Sequence, residues 1–114
     1  MPNEFRVRMV RTDHATVVVV GGELDLVSSV ELEEALEKLD RPDHGSVVLD
    51  LREVEFMDSS GLAVVVRAHQ RAHSAGITFG VVTESPQVRR LLTLTGVDER
   101  MPVAQTPEDL LGGG

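Results

Sequence analysis

The chain opens on alternation: Phe5, Val7 and Met9 interleave with Arg6 and Arg8, the period of a strand with one buried face. Asp13 and His14 follow as turn chemistry, so Phe5 to Val10 is predicted as an edge strand. Ala15 to Val20 shows no alternation. It is continuously apolar, β-branched and closed by Gly21-Gly22, which predicts a central strand covered on both faces. Ser28 and Glu31 then stand at capping-box spacing, and Leu32, Ala35, Leu36 and Leu39 recur at helical intervals, so an amphipathic helix is expected to run to about Asp40. Arg41-Pro42-Asp43-His44-Gly45 breaks it.

Ser46 to Leu51 reads as a second buried strand. The stretch from Leu62 to Ala75 carries two signals. Val64-Val65-Val66 has strand propensity, but Val64, Val65, Ala68, Ala72 and Ala75 form a helical stripe and Gly76 stands where a terminating glycine belongs. The agreement of stripe and stop predicts a helix. Ile77 to Val82 is a third core strand; Ser85-Pro86 then supplies a cap and a first helical residue, Val88, Leu91 and Leu92 an apolar face, and Gly96 a stop. Thr106-Pro107-Glu108-Asp109 starts a short terminal helix that frays at Gly112-Gly113-Gly114.

The order β-β-α-β-α-β-α-α implies one antiparallel hairpin followed by crossovers long enough only for parallel neighbours. The expected architecture is a single α/β domain over residues 1–114 with a mixed, mostly parallel sheet of four or five strands and about four helices. Such a sheet collects the segments that follow its parallel strands at one edge, where open α/β sheets present their sites. Gly22-Glu23-Leu24-Asp25 and Met57-Asp58-Ser59-Ser60-Gly61 are expected to meet there.

Charge narrows the partners. The chain of 114 residues has 11 Lys+Arg against 19 Asp+Glu, a formal net charge of -8, which repels phosphate backbones and anionic membranes. With 3% aromatic residues, Phe5, Phe56 and Phe79, it offers no base-stacking platform. The absence of Cys removes disulfides, thiolate catalysis and Cys-ligated zinc together. No apolar run is long enough for a leader or a membrane span, and the expected setting is the cytoplasm.

Asp58-Ser59-Ser60-Gly61 opens a helix, whose first amides are unpaired and partly positive. Either Asp58 or Ser59 can be the cap. A serine hydrolase reading has no G-x-S-x-G elbow, and there is no glycine-rich phosphate loop. His69 and His73 have ligand spacing but lack the glutamate of H-E-x-x-H, so they read as a polar helix flank and no metal or cofactor is expected. Glu31, Glu33, Glu34 and Glu37 are either a solvated face or a docking surface for a basic partner.

Gly22-Glu23-Leu24-Asp25, the run Val47-Val48-Leu49-Asp50-Leu51 and above all Phe56-Met57-Asp58-Ser59-Ser60-Gly61-Leu62 resemble the STAS-domain anti-sigma factor antagonists of bacteria. Ser85-Pro86, Val88, Arg90-Leu91-Leu92 and Gly96 continue the resemblance over nearly the whole chain. It implies a non-enzymatic regulator of transcription, of the kind used in stress response or sporulation. Unphosphorylated, such a protein binds an anti-sigma factor that is also a GHKL-class serine kinase and frees a sigma factor. Phosphorylation ends that binding, and a PPM-type phosphatase restores it. Residue by residue, the resemblance makes Ser59 the phosphoacceptor and Ser60 its neighbour. Gly22, Glu23, Asp25, Met57, Asp58, Ser59, Ser60 and Gly61 would form the partner-binding surface of a monomer or weak dimer. Leu26-Val27-Ser28-Ser29 is more apolar than the best-known members have at that turn. STAS modules that regulate a transport system or sensory assembly, or that bind a nucleotide at the same edge, are the alternatives.

Overall fold

A computed structural model describes residues 4–39 and 45–111. Five strands, β1 (Arg6–Arg11), β2 (Ala15–Leu24), β3 (Ser46–Met57), β4 (Phe79–Val82) and β5 (Val103–Ala104), form one sheet in sequence order. β1 is the antiparallel edge strand and the other pairs are parallel, as the crossover argument requires. Between them run α1 (Leu26–Glu37), α2 (Ser59–Ala75), α3 (Pro86–Leu94) and the short α4 (Pro107–Leu111).

Burial divides the sheet into two faces. On one, Val18, Val20, Leu49, Leu51 and Val81 meet Leu32 and Leu36 of α1, Val64, Val65 and Ala68 of α2, and Val88 and Leu92 of α3 in one core. On the other, Val17, Val19, Val48 and Val82 form a smaller cluster against which Leu110 of α4 packs. β2 and β3 are therefore apolar on both sides, which is why their Val runs do not alternate.

Several predicted boundaries move, and β1 runs from Arg6 to Arg11 instead of Phe5 to Val10, with Met9 and Val10 exposed instead of forming a buried face. Gly21-Gly22 does not end β2: the pairing register slips on either side of these glycines, and the strand continues to Leu24. Gly22 has φ +93°, and a Cβ there would stand 2.6 Å from the Glu4 carbonyl oxygen, so glycine marks an irregularity inside the ladder rather than a stop. β3 correspondingly outruns Leu51 to Met57, with Val54 buried between exposed Glu53 and Glu55. β4 starts at Phe79, two residues after the predicted start. The capping box of α1 is also shifted. Asp25 accepts from the backbone N–H of Ser28 at 3.0 Å while the Ser28 hydroxyl accepts from the Asp25 N–H at 2.9 Å, so the box is Asp25/Ser28 and not Ser28/Glu31. The two-residue β5 and a 3-10 turn at Val97–Glu99 were not legible as separate elements. α1 ends at Glu37 with Lys38 as its C-cap, short of the predicted end near Asp40, while most of the predicted break after it and the tail at 112–114 lie outside the described residues.

α2 is a helix despite its Val triplet: Val64 and Val65 enter the core and Gly76 closes it at φ +73°. One buttress joins it to α1. Glu33 accepts from Arg67 Nε at 2.9 Å and from an Arg71 terminal nitrogen at 3.1 Å, and these guanidinium groups, Arg67 first, hold its carboxyl below the ordinary glutamate range. The stabilisation is present above that range and is lost as pH falls through the lowered value. Glu33→Gln should therefore cost about 0.5–1 kcal/mol at neutral pH, the modest size reflecting solvent screening at exposed Arg67. In urea titrations the gap between variant and parent should close as pH falls through the lowered Glu33 range, and a gap that stays constant would contradict this account of the clamp.

Candidate functional site

The parallel pairing of β2 with β3 puts the two polar loops side by side. Glu23 pairs with Phe56 and Leu24 with Met57, and the Asp58 N–H donates to the Leu24 carbonyl at 3.1 Å. Each strand then turns into a helix through an aspartate. Asp25 caps α1 and Asp58 caps α2, both with extended backbone angles. The two helix N-termini thus open on the same end of the sheet.

Asp58 resolves the question of which residue caps α2. Its Oδ1 accepts from the Ser60 N–H at 2.8 Å and from the Gly61 N–H at 3.3 Å, which leaves Ser59 without a capping duty. Ser59 is the first residue of α2, exposed, and among the described residues its hydroxyl has no hydrogen-bond partner. Ser60 is half-buried. Asp25 is exposed, and the Ser28 N–H, then the Ser28 hydroxyl, hold its carboxyl below the ordinary aspartate range.

The eight residues expected at this surface divide by depth. Asp25 and Ser59 are exposed; Glu23, Asp58 and Ser60 are half-buried; Gly22, Met57 and Gly61 are buried. Met57 is fully buried, and a Cβ on Gly61 would stand 2.7 Å from its Cγ and 3.0 Å from the Leu24 Cβ. Gly61 thus lets the first turn of α2 sit directly on the strand ends. These buried residues hold the others in place.

Two features escaped the sequence reading. β3 extends beyond its partner β4, which leaves the Met57 backbone without a strand on that side. The Gln87 side chain of α3 replaces it, accepting from the Met57 N–H at 3.1 Å and donating to the Met57 carbonyl at 2.8 Å. No local pattern announces a contact over 30 positions of chain. Gln87→Leu strips both bonds from a buried backbone unit, and should cost about 1–3 kcal/mol by thermal denaturation; an unchanged melting temperature would show that Gln87 does not pin this strand end. The second feature is apolar: Leu26, Val27 and Val30 of α1 are 72%, 80% and 60% exposed beside this edge, and Phe56 is 44% exposed. The apolar turn after Asp25 was their sequence signal.

The rest of the surface offers less. His69 stacks on His73 with ring centroids 6.4 Å apart and also meets Phe79, and among the described residues no group of three or more His, Asp or Glu side chains could hold a metal ion. Burial, then His73, lowers the His69 pKa. A hollow of about 540 Å³ lies on the sheet face that α4 covers, floored by Val17 and Val19. Its arginines are engaged, Arg52 with Asp50 at 2.8 Å and Arg8 near Glu53 at 4.0 Å, and Glu108 adds a further carboxylate, so it is not built for phosphates. Among the described residues no helix is long and apolar enough to cross a membrane.

Comparison with known proteins bears on the same edge. Residues 6–110 match the STAS domain. The chain is 30% identical over 112 residues to the anti-sigma-F factor antagonist RsfB of Mycobacterium tuberculosis, covering 98% of this chain and 91% of that protein. It is 31% identical over 91 residues to the anti-sigma-B factor antagonist of Staphylococcus aureus, covering 80% and 84%. The crystal structure of an anti-sigma factor antagonist from Mycobacterium paratuberculosis superimposes with a TM-score of 0.88 at 32% identity, covering 99% of this chain and 96% of that one.

Proposed function

We propose a partner switch for this chain, which belongs to the STAS domain family of anti-sigma factor antagonists. In the cytoplasm, the unphosphorylated protein binds an anti-sigma factor that is also a GHKL-class serine kinase and so frees a sigma factor. The kinase phosphorylates Ser59, the complex falls apart, and a PPM-type phosphatase resets it. The observation that carries this reading is the unused Ser59 hydroxyl. Asp58 already performs the cap, and Ser59, exposed at the helix start, makes no side-chain hydrogen bond among the described residues.

Phosphate suits that position locally. It adds about -1.5 to -2 charge at the positive end of α2, so the fold tolerates the group. Across an interface the same charge is unwelcome, because it lies next to Asp58 on a protein whose net charge is already -8. The carry-over of roles is tested by incubating the parent, Ser59→Ala and Ser60→Ala with one cognate kinase and ATP and weighing the products. One phosphate is expected on the parent and on Ser60→Ala, and none on Ser59→Ala. Uptake by Ser59→Ala equal to the parent would assign the acceptor elsewhere.

A further inference from the structure

Between the first turns of α1 and α2 lies a cleft of about 260 Å³, walled by Leu26 and Val30 on one side and Ala63 and Val64 on the other, with Ser60 at its rim. The Glu33–Arg67 ion pair lies along it. Its size falls short of the roughly 300–1,000 Å³ usual for small-molecule pockets, and it suits a single side chain better than a free metabolite.

Two independent observations mark it as incomplete. Leu26 and Val30 remain 72% and 60% exposed, although a helix of a small soluble domain normally turns such residues inward. Ser29, which also lines the cleft, is only 5% exposed and its Oγ has no hydrogen-bond partner among the described residues. A buried hydroxyl left without a partner is costly, and an occupant with a donor or acceptor at its tip relieves it. The surroundings are acidic: Asp25 and Asp58 cap the two helices whose first turns form the cleft, and Glu31 and Glu34 lie exposed on α1.

We propose that this cleft is the anchoring pocket of the anti-sigma factor complex, taking one side chain of that partner whose apolar stem packs on Leu26 and Val30 and whose polar tip reaches the Ser29 hydroxyl, while a neighbouring basic residue of the same segment meets Asp25. The inference rests on the partner-switch reading and extends it from Ser59 onto α1. Continuity selects this occupant, since Ser60, the residue after the proposed phosphoacceptor, forms the rim. Anchor residues in desolvated pockets dominate the energetics of protein interfaces, so Leu26 and Val30 would set which anti-sigma factor is accepted. Ser59 would then set when it is bound.

The test uses the full chain and each purified GHKL-class anti-sigma factor encoded in its source genome, titrated one at a time by calorimetry. Leu26→Gln and Val30→Gln remove the apolar wall at exposed positions and are expected to leave melting temperature near the parent value. Each should weaken binding about tenfold and the pair about a hundredfold. Leu111→Gln, an exposed apolar site on the face that α4 covers, is the control and should bind as the parent does. Asp25→Asn should raise the dissociation constant and flatten its dependence on salt. Parent-like binding by the Leu26→Gln/Val30→Gln pair overturns the anchoring pocket and leaves the partner switch standing. Failure of the parent itself to bind any member of the panel overturns the switch, and the pocket with it.

Discussion

Gly22→Ala should destabilise the protein by about 3 kcal/mol, lowering its melting temperature on the order of 10 °C. Two costs combine. The position has φ +93°, a conformation that costs an L side chain roughly 1–2 kcal/mol. The added Cβ would also stand 2.6 Å from the Glu4 carbonyl oxygen and 2.9 Å from the Phe5 Cα, and because both are backbone, the start of β1 must move. Gly76→Ala separates the costs. Its φ is +73°, but nothing lies within 4 Å of its Cβ position, so it should lose only about 1 kcal/mol. Equal losses at the two glycines would show that the close approach of β1 contributes nothing. Since a domain of this size is expected to hold only about 5–15 kcal/mol in total, the Gly22 variant should be visibly compromised at 37 °C.

Ser59→Asp should weaken binding to the anti-sigma factor by about a hundredfold or more, equivalent to about 2.7 kcal/mol. The substituted carboxylate occupies the first position of α2, beside Asp58, and an interface closing over it must strip its water without supplying a partner. The free protein should not suffer. A negative charge at a helix N-terminus is stabilising by about 0.3–1 kcal/mol, so the melting temperature should hold or rise slightly. Ser59→Ala should bind as the parent does, because the hydroxyl makes no hydrogen bond among the described residues. Unchanged affinity of Ser59→Asp in titration calorimetry would mean that the interface lies elsewhere.

How much of this was legible follows from the range of each interaction. The Val runs of β2 and β3 announced strands buried on both faces, and the stripe ending at Gly76 announced α2 against the β propensity of Val64 to Val66. Those signals are local and periodic. What the sequence hid depends on contacts between distant segments. Gly21-Gly22 has the chemistry of a terminator, and only the pairing of Gly21 with Glu53 and Gly22 with Val54 shows that the strand runs through. β5 exists through backbone pairing of Val103 with Val81 and has too few residues for any period. Ser28 was expected to open a box with Glu31 and instead closes one with Asp25, the residue where β2 hands the chain to α1.

The candidate site divides the same way. That Asp25 and Asp58 would meet at one edge followed from crossover topology, and the pairing of Leu24 with Met57 brings them there. Which of Asp58 and Ser59 capped the helix did not follow from spacing, because both residue types cap well. The burial of Met57 and Gly61 beneath the expected surface was likewise invisible in a motif that runs unbroken through exposed and buried positions. Gln87 belongs to neither a motif nor a period, so its role could emerge only from coordinates.

The central claim is that one phosphate on Ser59 decides whether a sigma factor is free, and its most direct measurement is release from a preformed complex of the sigma factor with the cognate anti-sigma factor. The account predicts that the unphosphorylated chain displaces the sigma factor, seen as a free species by size-exclusion chromatography. Protein stoichiometrically phosphorylated on Ser59 should leave the complex intact until a PPM-type phosphatase is added. Equal displacement by the two forms would contradict it.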